Sequence, residues 1–195
     1  MKDLTELVII IDRSGSMHGL EQDVVGGFNS LIKEQKKEGD TTVTTIFFND
    51  ITEFVHTSVD IKKIEPLKEK DYSPRGRTAL LDAIGDAVSF VKAKHAKLND
   101  RDLPKNTIIS IMTDGLENAS RYYSYKRIKD IIEFQKKCGW AFIFQAANID
   151  TEYEAGRLGV DLDAAMSFRA DGEGVSRQMK WCSEKISEIK KNKRN

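Results

Sequence analysis

Leu7-Val8-Ile9-Ile10-Ile11-Asp12-Arg13-Ser14-Gly15-Ser16-Met17 is the stretch on which the reading of this chain turns. An apolar run stops abruptly at an aspartate, and two serines follow at alternate positions. Such a run reads as a central strand of a parallel sheet, covered on both faces. The loop leaving its carboxyl end is where open α/β sheets place ligands. One carboxylate and two hydroxyls, with Gly15 permitting a tight turn, make an oxygen-rich cup of the kind hard divalent cations prefer. The same residues also favour turns and helix N-caps. Taken alone, the segment reads either way.

Working outward, Leu20, Val24, Phe28, Leu31 and Ile32 recur at helical spacing through about Lys37, and Gly39 ends that helix. Thr41 to Phe48 is β-branched and aromatic, Asn49-Asp50 is a tight-turn pair, and Ile51 to Val59 resumes a strand pattern. This hairpin places its first strand parallel to the opening strand and its second antiparallel at an edge. Residues 60–77 are polar and carry Pro66 and Pro74, which predicts no more than a short turn or helix. Thr78 opens a helix with Leu81, Ile84, Val88 and Val91 on one face through about Ala96.

Pro104 precedes a strand over Thr107 to Met112, which runs into Thr113-Asp114-Gly115. A helix over Tyr125 to Cys138, a strand over Trp140 to Ala146, a helix over about Thr151 to Leu158 and a short strand around Ala165 to Phe168 follow. Last, Val175, Met179, Cys182, Ile186 and Ile189 form an amphipathic helix. The alternation predicts a single α/β domain over residues 1–195. Its sheet is doubly wound, mostly parallel and six-stranded, with one antiparallel edge strand and helices on both faces.

Composition narrows the function. Lys+Arg and Asp+Glu balance at 31 each, so no global field draws the chain to nucleic acid or an anionic membrane. The charged amino terminus has no signal-peptide character, and no apolar run approaches the roughly 18 residues of a membrane span. Cys138 and Cys182 lie in helical patterns outside any CxxC and read as reduced core residues of a cytoplasmic protein. The basic tail Lys190-Lys191-Asn192-Lys193-Arg194 reads as a solvated, frayed end rather than a nucleic-acid site.

Three boundaries carry oxygen ligands of matching chemistry: Asp12, Ser14 and Ser16 after the first strand, Thr78 before the second long helix, and Asp114 after another central strand. In a parallel sheet these fall at one edge. Singly, Thr78 is an ordinary N-cap and Asp114 a turn-former before glycine; together they favour one shared site over three separate turns.

These residues resemble the metal-ion-dependent adhesion site (MIDAS) of von Willebrand factor type A (vWA) domains, whose pattern is Asp-x-Ser-x-Ser, a later Thr and a later Asp. Gly76-Arg77-Thr78-Ala79-Leu80-Leu81-Asp82-Ala83-Ile84, Thr113-Asp114-Gly115-Leu116-Glu117-Asn118 and Ala146-Ala147-Asn148-Ile149-Asp150 resemble segments of bacterial, intracellular, stand-alone members. The order of elements agrees over nearly the whole chain, and all five motif positions are filled. The resemblance implies a Rossmann-like vWA fold and a site in which Ser14, Ser16 and Thr78 touch the ion while Asp12 and Asp114 often act through water. Magnesium suits such a site because it prefers octahedral oxygen geometry and keeps several waters; manganese fits as well. It implies further that a Glu or Asp side chain of a partner protein completes the coordination, the partner often being an ATPase, kinase or phosphatase.

Around the cup, Arg13, Met17, His18, Tyr72, Arg75, Arg77, Glu117 and Arg121 are candidates for a partner-binding rim, since arginine and tyrosine are favoured interface anchors. Each reads equally as solvated loop. Tyr122, Tyr123 and Tyr125 face a partner or pack a helix. The alternative function is a metal-dependent hydrolase or phosphatase using the same site. Haloacid-dehalogenase-like phosphatases begin with Asp-x-Asp, however, and this chain has Ser14 at the second position. There is no P-loop and no Gly-x-Ser-x-Gly elbow. Of the three histidines only His18 is near the cup, while His56 falls in the edge strand and His95 on the exposed or boundary face of a helix. A third reading keeps the metal only as a staple between loops.

Overall fold

A computed structural model describes residues 1–192. Its sheet has six strands in the order β3-β2-β1-β4-β5-β6, over Thr52–Asp60, Thr41–Phe48, Lys2–Asp12, Pro104–Thr113, Trp140–Ala147 and Ala165–Phe168. All neighbours pair in parallel except β2 with β3, so the antiparallel strand lies at the edge, as the hairpin predicts. The helices are α1 (Glu21–Gln35), α2 (Leu80–His95), α3 (Tyr125–Lys137), α4 (Thr151–Leu158) and α5 (Gly172–Asn192).

The side-chain period of two explains why β1 is apolar from Leu7 to Ile11. Leu7, Ile9 and Ile11 join one core with Phe28 and Leu31 of α1 and Val175, Met179 and Ile186 of α5. Val8 and Ile10 join the opposite core with Leu81, Ile84 and Val88 of α2 and Ile128 and Ile132 of α3. A strand covered on both faces keeps no polar alternation. On the first face α1 meets α5 closely: a Cβ at Gly27 would lie 2.6 Å from Met179 Cγ.

Several boundaries move. β1 starts at Lys2 rather than near Leu7, and β4 begins at Pro104 itself, since a proline is tolerated as the first residue of a strand. α2 begins at Leu80, two residues after Thr78. Cys138 is exposed at the end of α3 rather than in the core; Cys182 is buried, and burial pushes its thiol up to about 11. The tail also departs from a frayed end: Lys190 is buried, and its Nζ donates to Gln35 Oε1 at 2.8 Å and Thr41 Oγ1 at 3.1 Å. Lys193 and Arg194 lie outside the described residues. None of the helices among the described residues is long and apolar enough to cross a membrane.

At the amino-terminal edge of the sheet, Glu6 is 1% exposed and accepts from Lys94 Nζ at 2.8 Å and pairs with His95 Nε2 at 2.7 Å. His95 therefore sits at the boundary of its helix, partly buried and paired with Glu6. Burial pushes the Glu6 carboxyl up, but the hydrogen bonds from His95 and Lys94 outweigh it and hold it below the ordinary value of 4.5. A depressed carboxyl adds stability above its unfolded value and loses it as pH falls through the folded one. Glu6→Gln is therefore expected to cost about 1–3 kcal/mol at neutral pH, measured by urea unfolding. The gap to the parent chain should begin to narrow as pH falls below about 4.5 and close as it passes the lower folded value; a gap independent of pH would contradict the charge pairing.

Candidate metal centre

Because β1 and β4 are parallel neighbours, their carboxyl ends deliver Asp12 and Asp114 to the same edge. Asp12 is fully buried; its Oδ1 accepts the Ser14 N–H at 2.7 Å and its Oδ2 the Thr113 hydroxyl at 2.7 Å. Tyr72 donates its hydroxyl to the Asp12 carbonyl. Ser16 Oγ donates to Asp114 Oδ1 at 2.6 Å and lies 3.1 Å from Ser14 Oγ. Direct bonds thus connect Ser14, Ser16 and Asp114, and Asp12 joins them through the Ser14 amide.

The helix-cap reading of these residues does not hold. Ser14 precedes a single 3-10 turn, Gly15–Met17, and makes no side-chain capping bond. Thr78 is not the cap of α2 either; Ala79 takes that position. Thr78 is instead buried between two bonds to Asn118, its N–H donating to Oδ1 and its carbonyl accepting the backbone N–H, both at 3.0 Å. The second loop reaches the first where Gly15 N–H donates to the Gly76 carbonyl at 3.0 Å. Gly76 has φ +75°, and a Cβ there would lie 2.2 Å from Asp50 Oδ2, so only glycine fits.

The site's electrostatics leave it short of positive charge. Burial pushes the Asp12 carboxyl up to about 6, against hydrogen bonds from Thr113 and Ser14 and with a further upward push from Asp114. Burial also raises Asp114. Asp114 Oδ2 is buried without any hydrogen-bond partner. A buried carboxylate oxygen normally has a partner, so this atom fits a cation. Among the described residues no cluster of three or more His, Cys, Asp and Glu side chains offers a metal site. The donor set here is instead two carboxylates with neutral hydroxyls, the oxygen chemistry that magnesium or manganese takes.

The rim divides. His18, Arg75 and Arg77 are exposed. Met17 and Tyr72 are buried at 0% and 1%: Met17 joins the core with α1, and Tyr72 packs edge-on against Phe47. Arg13 is buried as well, its guanidinium 2.5 Å from Glu53 and over the Phe47 ring. Glu117 spends its carboxylate inward, accepting from the backbone of Ala119, Ser120 and Leu81. These four serve packing and loop bracing rather than an open rim. Arg121 is exposed, with its N–H on Asp82. Tyr123 lies against Gly85 of α2, and Tyr125 donates to Glu154; Tyr122 is exposed.

Sequence reasoning passed over Asn49 and Asp82. Asn49, in the turn between β2 and β3, is buried; its Nδ2 donates to the Arg75 carbonyl at 3.0 Å and its own carbonyl accepts Ala79 N–H at 2.8 Å, so it brackets the loop carrying Thr78. Asp82 accepts the N–H groups of Arg121, Tyr122 and Tyr123 and anchors the third loop to α2. An Asn-Asp pair between two strands signals only a turn; its long-range bonds have no local signature.

No family model and no curated protein matches the sequence. Solved structures do match. Proximal thread matrix protein 1 from the mussel byssus, with zinc in its MIDAS motif, is similar at TM-score 0.67 and 15% identity over 94% of this chain and 46% of its own. The manganese-loaded Plasmodium vivax TRAP protein is similar at TM-score 0.62 and 18% identity, over 91% of this chain and 72% of its own. The vWF domain of the pilus tip protein Mfa5 from Porphyromonas gingivalis is similar at TM-score 0.71 and 10% identity, over 95% of this chain and 96% of its own. The chain spans about half the length of the mussel protein it matches. At these identities the likeness establishes the fold: this chain has the α/β architecture of vWA domains.

Asn49→Ala leaves the Arg75 carbonyl and the Ile51 N–H without their partners. It is expected to lower stability by about 1–3 kcal/mol, read from the shift in urea midpoint; an unchanged midpoint would show that the bracket carries no load.

Proposed function

We propose that this chain is a divalent-metal-dependent protein-binding module. Magnesium, or manganese in its place, would be held by Asp12, Ser14, Ser16, Thr78 and Asp114, and would offer a position for a Glu or Asp carboxylate of a partner protein. The observation that carries the proposal is the unpartnered, buried Asp114 Oδ2 beside the Ser14–Ser16 hydroxyl pair and the Asp12 carboxyl pushed up by burial. With the Ser14, Ser16 and Thr78 hydroxyls on the ion and the two carboxylates acting through water, the divalent charge would be only partly compensated, and it would attract an outside anion. The likeness to a zinc-occupied and a manganese-loaded protein of the same fold supports the metal.

The chain's own residues support binding over turnover. Ser14 stands where an Asp-x-Asp phosphatase has its second carboxylate. None of the three histidines is bonded to a cup residue: His18 pairs with Glu21, His95 with Glu6, and His56 lies in β3 against Phe28. Histidine is the side chain that most often serves as general acid or base, and here none is bonded to the cup. Tyr72, Thr113 and Asn49 hold the loops still, as a docking point requires.

Magnesium at about one to ten times its Kd is expected to add roughly 0.4–1.4 kcal/mol of stability, a rise in Tm of about 1–5 °C for this size. Asp12→Ala and Ser14→Ala should each abolish the rise in a thermal melt. A response unchanged in both variants contradicts the assigned site. Hydrolysis of a phosphate ester that needs both metal and Asp12 would replace binding by catalysis.

A further inference from the structure

The rim of the cup carries charge and apolar surface that one carboxylate does not use. The Gly15–Gly76 bond and the bond from Arg75 N–H to the Arg13 carbonyl, 2.9 Å, set Arg75 beside the first loop. Arg75 is exposed, and among the described residues its guanidinium has neither an ion pair nor a hydrogen bond. Its neighbour Arg77 is different, because its Nε is committed to Asp50 Oδ1 at 2.8 Å. The acids of the rim are likewise engaged: Asp50 by Arg77, Glu117 by three backbone N–H groups, and Glu21 by His18 and Gly19. Arg75 is thus a cation with no counter-ion of its own. In the third loop, two residues after Asp114, Leu116 is 56% exposed, and Asn118 of the same loop is bonded to Thr78.

We infer that the partner presents an acidic protein segment, with an apolar residue between carboxylates, rather than a lone Glu or Asp. The inference rests on the metal-dependent reading above: one carboxylate meets the cup, Arg75 takes a second, and Leu116 meets the apolar residue. Complementary charge of this kind sets partner choice more than raw affinity. A phosphate would also suit an arginine beside a metal. It favours several converging donors, however, and Arg77 is already occupied, whereas a solvent-facing leucine fits a peptide.

Anisotropy of labelled synthetic peptides on the full chain in millimolar magnesium tests this. One peptide carries a single glutamate in a Gly/Ser frame, a second carries Glu-Leu-Glu-Glu in the same frame, and a third carries phosphoserine in place of the glutamates. The second should bind about tenfold tighter than the first. Arg75→Glu should remove that advantage and Leu116→Ser reduce it, with the magnesium-induced rise in Tm intact in both variants. Four results overturn the inference while leaving the metal reading in place: equal binding of the first two peptides, an advantage untouched by Arg75→Glu, preference for phosphoserine, or no binding of any peptide to the magnesium-loaded chain. Loss of the magnesium effect on Tm, or binding indifferent to EDTA and to Asp12→Ala, overturns the metal reading itself.

Discussion

The buried carboxylate of Asp12 is the constraint around which the carboxyl edge of the sheet is built. It ends the central strand, where burying a charge is costly unless it is hydrogen-bonded. The Ser14 amide and the Thr113 hydroxyl each satisfy one oxygen, which ties the loop after β1 to the end of β4. The adjacent Arg13 does not neutralise it, because its guanidinium goes to Glu53 on the edge strand. Asp114 then adds a second carboxylate at the same place, which makes Asp12 harder still to ionise. A cation placed between them relieves that repulsion, so the fold and the proposed chemistry share one cause.

The loops around Asp12 are held mainly by backbone groups. Gly15 binds Gly76, Arg75 binds Arg13, Ala79 binds Asn49 and Asn118 binds Thr78, so the loop over residues 75–79 is tied to the first loop, to the third loop and to the turn between β2 and β3. Side-chain carboxylates brace the outside: Asp50 receives Arg77, Glu117 caps its own loop, and Asp82 collects three consecutive N–H groups. Such pre-organisation reduces the ordering cost of binding. It also leaves Arg75 and Leu116 as exposed groups on a firm base.

The architecture was legible because its signals are local and periodic. The apolar run of β1, the hairpin around Asn49-Asp50 and the four-three stepping of α5 each determine an element type, and the Asp12, Ser14, Ser16 and Asp114 set follows from strand ends facing one way. What escaped is long-range or polar. Met17 and Tyr72 stand in loops, yet tertiary packing buries them, and nothing in their sequence neighbourhood shows it. Lys190 reads as part of a solvated tail, but Gln35 and Thr41 give its ammonium a buried seat. Gln145 and Gln178 bond to each other between β5 and α5, where hydropathy alone would place no amide. Helix α2 starts after Thr78 rather than at it because Asn118 already claims the Thr78 backbone.

Anomalous scattering from crystals of this chain grown with manganese tests the central claim most directly. The account predicts one strong anomalous peak enclosed by Asp12, Ser14, Ser16, Thr78 and Asp114, with Asp114 or a water it holds in the coordination shell. A fully occupied manganese elsewhere, with this cup closed by protein hydrogen bonds alone, would contradict it.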